Sequence, residues 1–250
     1  MLVVLPPSET KAPGGRGRPL DLEALSFPAL NPVRDELVDD LVALAADVQA
    51  SRRVLEISER QDDEIARNAA LRSAPTTPAL RRYTGVLYDA LDTATLTPAA
   101  RRRLAVCSAL FGLVGGTDPI PAYRLSGASA LPAASGEARG GLRTVWRPAL
   151  GPVLADLSAS EHVVDLRSGP YAALAPAPGA TTLDVLSEAA DGSRTTVSHA
   201  NKSHKGRAAR VLASTRRRPR DADGVLATLR DAGMAVERES ATALVLVVPR

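Results

Sequence analysis

Residues 163–217 read VVDLRSGPYAALAPAPGATTLDVLSEAADGSRTTVSHANKSHKGRAARVLASTRR, and the change of period within them decides the fold class. Val163 to Leu166 is a short apolar run closed by Ser168-Gly169-Pro170. Thr181 to Leu186 and Arg194 to Ser198 are two further β-rich stretches. From Gly206 to about Arg217 the period becomes helical, with Ala209, Val211 and Leu212 on the inward face. Strand follows strand before a helix intervenes, so no regular strand–helix–strand repeat is present. The reading is an α/β fold, a mixed sheet with surrounding helices rather than a doubly wound sheet.

The flanking sequence fits that reading. C-terminal to the stretch, Asp221 caps a last helix closed by Gly233, and Met234 to Val236 with Leu244 to Val248 form a terminal hairpin. On the other side, Trp146-Arg147-Pro148 opens a helix through Leu157, and Leu110 to Ser129 reads as loops around a short strand at Tyr123 to Leu125. Thr97-Pro98 caps a helix through Leu104 and Val106, and Ser58 to Leu71 is another. Tyr83-Thr84-Gly85 is a turn, and Asn31-Pro32 caps an amphipathic helix reaching Val48. Leu2 to Leu5 is a buried strand ended by Pro6-Pro7, followed by a Gly/Pro/Arg-rich loop from Lys11 to Pro19.

The 250 residues are 45% hydrophobic and 24% charged, with a mean hydropathy of -0.04, enough apolar material for one core. No long polar linker divides them, and a single domain over 1–250 is expected. Thirty-one basic against 28 acidic residues leave +3, too mild to announce nucleic acid by itself. One cysteine, Cys107, excludes an internal disulfide and a thiolate zinc site, and fits the reducing cytoplasm. The apolar start lacks a basic leader, and Ala243 to Val248 is too short to cross a bilayer, so no membrane association is expected. The lysines are Lys11, Lys202 and Lys205; arginine serves elsewhere.

Two of those lysines fall in His199-Ala-Asn-Lys-Ser-His-Lys-Gly-Arg-Ala-Ala-Arg210. Lys202, Lys205, Arg207 and Arg210 crowd a strand-to-helix junction, where the helix dipole already disfavours cations, so an anion is expected there. Arg216, Arg217, Arg218 and Arg220 continue the basic run and read as a solvated face. Ser8 and Thr10 follow the first strand, and Ser168 and Tyr171 follow another, at positions where open α/β sheets place ligands. The hydroxyls of the first loop serve equally well to satisfy turn backbone. Tyr123-Arg124 suits base stacking beside a phosphate, or plain packing at a strand edge. Asn201 completes the cleft expected from these loops. There is no GxSxG, GxxxxGK[ST], GxGxxG or HExxH, and His162, His199 and His204 lack metal-ligand spacing, so neither metal nor cofactor is expected.

Several blocks, taken in order, carry a resemblance. They are Met1-Leu-Val-Val-Leu-Pro-Pro-Ser-Glu-Thr-Lys11, Tyr83-Thr84-Gly85, Ser108 to Leu113 with Asp118 to Leu125, Val145-Trp146, Val164 to Tyr171, and Asn201-Lys202 through Lys205-Gly206-Arg207. Together they resemble the YaaA family of bacterial peroxide-stress proteins. Departures are Glu9, where many members have Lys in a Ser-Pro-x-Lys-Thr start, and Gly115-Gly116 in place of a more Arg/Pro-rich turn. The resemblance implies a cytoplasmic protein that binds double-stranded DNA and limits iron-dependent peroxide damage. It also implies an unusual mixed α/β fold, a positively charged cleft and a helix-hairpin-helix element; Tyr83 to Leu91 is the best place for that element, although the Gly-h-Gly signal is missing.

Two functions are expected from different classes. In one, Lys202, Lys205, Arg207, Arg210 and Arg124 bind DNA phosphates. In the other, an enzyme acts on a nucleobase, nucleotide or other phosphate-bearing small molecule through Lys202 or Lys205. Both lysines in a deep pocket favour the enzyme; an open groove favours DNA.

Overall fold

The computed structural model describes residues 1–137, 140–167, 169–196 and 200–249. In chain order the elements are β1 (Leu2–Leu5), α1 (Asn31–Leu44), α2 (Val48–Leu55), α3 (Asp62–Ala69), β2 (Thr77–Pro78), α4 (Ala79–Arg82), α5 (Val86–Leu91), α6 (Pro98–Arg101) and β3 (Leu104–Ser108). They continue through β4 (Gly112–Gly115), β5 (Pro119–Ile120), α7 (Leu142–Ser160), β6 (Val163–Asp165), α8 (Pro170–Leu174), β7 (Thr181–Glu188) and β8 (Arg194–Thr196). The last are α9 (Ala200–Ser214), α10 (Ala222–Asp231), β9 (Val236–Arg238) and β10 (Ala243–Pro249).

Among the described residues the main sheet has eight strands, ordered β4-β3-β1-β6-β7-β10-β9, with β8 beside β7. β3, β1, β6, β7 and β10 run parallel, while β4, β8 and β9 pair antiparallel. The sheet is therefore mixed, as the sequence predicts. β1 and β3 are buried along their whole length, which is why LVVL and LAVCS carry no polar alternation. β7 alternates buried and more exposed residues, leaving Asp184 on its open face.

The helix expected from Asn31 to Val48 ends at Leu44, with α2 starting at Val48, and three further expectations change in the middle of the chain. The helix expected from Thr97 through Val106 stops at Arg101, and Leu104–Ser108 is instead β3, paired with β1 and β4. A continuous apolar run has the same signature in a buried strand as in a buried helix, and pairing on both edges settles it here. Tyr123 to Leu125 is not a strand; the strands of that region are β4 and β5. Helix α7 begins at Leu142, ahead of Trp146, and contains Pro148 and Pro152. These prolines are four residues apart and exposed, so both freed carbonyls lie on the outer face, where water can bond them. The inner face of α7 brings Trp146 against Gly112, whose φ is +67°; a Cβ there would lie 2.6 Å from the indole ring.

Candidate functional site

At the C-terminal ends of β1 and β6, four segments enclose a cleft of about 390 Å³: Pro6–Thr10 after β1, Thr84–Leu87 at the start of α5, Gly169–Tyr171 leading into α8, and the first turns of α9. This is the crevice position that parallel strand ends create. Gly169 makes the entry into α8 with φ +53°, a conformation suited to glycine, and Pro170 follows at the first helical position.

The β1 loop is fixed by its own hydroxyls. Ser8 Oγ donates to the Thr10 carbonyl (2.6 Å) and accepts from the Thr84 N–H (3.0 Å), and the Thr10 and Thr84 hydroxyls are 3.0 Å apart. The Tyr88 hydroxyl donates to the Pro6 carbonyl (2.8 Å). Behind the loop, Tyr123 shares hydrogen bonds with Tyr83 (2.9 Å) and Ser108 (2.7 Å), and the Lys11 ammonium lies 4.3 Å from the centre of the Tyr123 ring.

Lys205 reaches the cleft from α9 with only 4% of its surface exposed. Its Nζ donates to the Leu166 carbonyl (3.4 Å) and stands 3.8 Å from the largely exposed Asp184 carboxylate. Burial lowers its pKa, and Asp184 and Asp165 counter that only in part. Lys202, one turn earlier on the same side of α9, is exposed. Asn201 Oδ1 is buried without a hydrogen-bond partner. Tyr171 is 9% exposed; its hydroxyl accepts from the Gly127 N–H (3.3 Å), and burial pushes its pKa up to about 12.

The structure thus brings Ser8, Thr10, Tyr171, Asn201, Lys202 and Lys205 around one cleft. The other expected residues that the structure describes lie elsewhere. Tyr123 is in the core. Arg124 pairs with Glu9 at 3.0 Å, which gives the unusual Glu9 a partner. Arg210 Nη1 donates to the Leu91 and Asp92 carbonyls (2.9 and 3.1 Å) at the end of α5. Arg207 is exposed and outside the cleft lining. Ser168 and His199 lie outside the described residues. Because α9 starts at Ala200, Lys202 and Lys205 belong to its first turns, and not to a loop ahead of Gly206.

Sequence reading missed the support under the cleft. Arg167 grips Asp165 through Nε (2.8 Å) and Nη2 (2.7 Å), and donates to the Tyr171 and Ala175 carbonyls (3.4 and 3.0 Å). Both residues are buried, and the pair ties β6 to α8. The available signal was an acid and a base two apart at a strand end, facing the same side. Cys107 sits beside Arg167, and burial pushes its thiol up to about 11, so it is protonated at neutral pH.

The sequence pattern described as Peroxide stress protein YaaA matches residues 1–238. The chain belongs to the YaaA family. It is 51% identical over 237 residues to a UPF0246 protein of Corynebacterium efficiens, covering 95% of each chain. A UPF0246 protein of Corynebacterium glutamicum is 48% identical over the same length and coverage. One of Streptomyces coelicolor is 42% identical over 250 residues, covering 96% of this chain and 93% of its own. In this YaaA-family chain the donors around the cleft are ammonium groups, hydroxyls and a carboxamide, which suit anions, and the one carboxylate of the lining, Glu9, is paired with Arg124. Among the described residues no three His, Cys, Asp or Glu side chains are grouped to hold a metal ion, and no helix is long and apolar enough to cross a membrane.

Proposed function

We propose that this YaaA-family protein acts in the cytoplasm in the response to hydrogen peroxide, binds double-stranded DNA, and takes one phosphate-bearing nucleotide unit into the cleft. The observation that carries the cleft reading is the placement of Lys205, nearly buried, and Lys202, exposed, on one face of the first turns of α9. Two cations at a helix start oppose the dipole, and a bound phosphate would relieve both. Asn201 Oδ1 offers an unused acceptor to a ligand N–H. We assign the limiting of iron-dependent damage to protection of the nucleic acid, since the donor set of the cleft favours anions over iron. The short helices α4 and α5, joined by Tyr83–Gly85, are the candidate helix-hairpin-helix element at the rim.

A second reading is enzymatic: the Lys205 amine, its pKa lowered by burial, acts as a nucleophile on a nucleobase or nucleotide. Calorimetric titration with nucleoside monophosphates separates the two. Lys205→Gln and Lys202→Gln are expected to weaken binding about tenfold each, near 1.4 kcal/mol. Lys205→Arg is expected to retain binding if the residue supplies only charge, and to abolish turnover if it is a nucleophile. Unchanged binding in both glutamine variants overturns the cleft reading.

A further inference from the structure

Of the three lysines, Lys205 alone is buried, and it is buried in the wall of the cleft. The stretch of α9 that carries it cannot drift: Gly206 meets α5, and Ala208, Ala209 and Leu212 are wholly buried. Its ammonium has three N–H donors but only one acceptor within hydrogen-bond distance, the Leu166 carbonyl at 3.4 Å. The Asp184 carboxylate, at 3.8 Å, contributes charge rather than a hydrogen bond. Lys11 is also short of water, but its Nζ is committed to the Ser8 and Glu9 carbonyls and lies outside the cleft lining.

The two lysines of α9 suit different atoms of one ligand. A phosphate oxygen touching Lys205 Nζ would also face Asp184, whereas Lys202, one turn earlier, is exposed and has no ion pair among the described residues. Lys202 is therefore the better phosphate partner, and Lys205 the better partner for an uncharged group. Burial lowers the Lys205 pKa, so more of its amine is unprotonated at neutral pH than in an ordinary lysine. An aldehyde is the uncharged electrophile that an amine attacks reversibly, with water as the only leaving group. On the opposite wall the Thr10 and Thr84 hydroxyls are 3.0 Å apart; one proton lies between them, and the other is left to donate to a ligand oxygen. Phosphate, hydroxyls and aldehyde together describe a sugar phosphate in its open-chain form, which a cleft of about 390 Å³ accommodates.

We propose that Lys205 Nζ forms an imine with the aldehyde of a ring-opened pentose phosphate whose phosphate rests on Lys202. This deepens the enzymatic reading of the cleft and rests on it. The amine lone pair attacks the aldehyde carbon, a C–N bond forms, and the carbonyl oxygen takes up the amine proton to give a carbinolamine. With a further proton from solvent that oxygen leaves as water, and the C=N bond of the iminium remains. Its positive charge replaces that of the ammonium, facing the same Leu166 carbonyl and Asp184 carboxylate. Such an aldehyde has two sources: a free pentose phosphate, and the sugar left in a nucleic-acid strand when a base is lost.

The test is reductive trapping. The full chain is incubated at neutral pH with cyanoborohydride and either 2-deoxyribose 5-phosphate or a duplex carrying one abasic residue, then digested and mapped by mass spectrometry. The adduct is expected at Lys205, formed about tenfold faster than at Lys202, Lys11 or the amino group of Met1. Lys205→Arg, its fold verified by a melting curve, is expected to lose the adduct. Lys202→Gln, and removal of the phosphate from the free sugar, are each expected to slow trapping about tenfold. The faster of the two probes identifies the source. No adduct with either probe overturns the proposal, as does label spread evenly over the amines, or an adduct that persists in Lys205→Arg. Nucleoside monophosphate binding without any adduct overturns the imine alone; loss of both overturns the cleft reading as well.

Discussion

Lys11 shows how a single residue can hold a cost in place. Its ammonium donates to the carbonyls of Ser8 (3.1 Å) and Glu9 (3.4 Å) and faces two tyrosine rings. Its pKa is lowered to about 8, chiefly by burial, with Arg124 and Arg82 acting in the same direction and Glu9 and Glu64 opposing the shift. Below that pH both folded and unfolded chains hold the proton, and the folded state bears the full desolvation penalty. Above it the unfolded chain binds more protons, so stability rises with pH until the ordinary lysine range is reached. We expect the unfolding free energy to climb by about 2 kcal/mol between roughly pH 7.5 and 9.5. Lys11→Met is expected to flatten that climb, read by urea denaturation at both pH values. Parallel profiles for the two proteins would refute the assignment. The window stops there because Tyr83, Tyr88 and Tyr123, all held above the ordinary tyrosine range, pull the other way at higher pH.

At the level of elements, the contact between α5 and α9 sets the shape of the cleft. Gly206 lies where the two backbones meet: a Cβ at this position would sit 2.2 Å from the Leu87 carbonyl oxygen. Gly206→Ala gains about 1 kcal/mol of helix propensity. It must nevertheless push α9 away from α5, and a net destabilisation of about 2 kcal/mol is expected, with weaker nucleotide binding as Lys205 shifts. A melting temperature equal to or above that of the wild type would show that the helices can separate freely. The Lys-x-x-Lys-Gly run was legible as a basic stretch close to a helix start because that signal is local, although α9 begins at Ala200 and not at Gly206. Strands β1, β6 and β7 were legible from their apolar and β-branched runs. β3 was not, since a buried strand after a helix cap has no period of its own. The partners of Arg124 and Arg210 were equally hidden. Glu9 lies 115 positions from Arg124, and the Leu91 carbonyl 119 from Arg210, so only the folded chain brings them together.

For the molecule as a whole, strand order matters more than any one contact. β1, made first, pairs with β3 on one side and β6 on the other. A fragment ending at Ser160 retains β1 and β3 but lacks β6, β7 and β10, and so exposes one edge of an apolar strand. We expect such a fragment to be cut by protease at the rate of an unfolded chain, while the full chain resists; a protected fragment would contradict this.

The central position of β1 also bears on synthesis. When the nascent chain has delivered its first hundred residues, Leu2–Leu5 has neither neighbour, and its second partner emerges only with residues 163–165. Until β3 is made the apolar strand therefore has no sheet neighbour, and until β6 is made it has one free edge, a natural client for a chaperone. The same late pairing makes an abandoned, incomplete copy easy for the cell to recognise and remove.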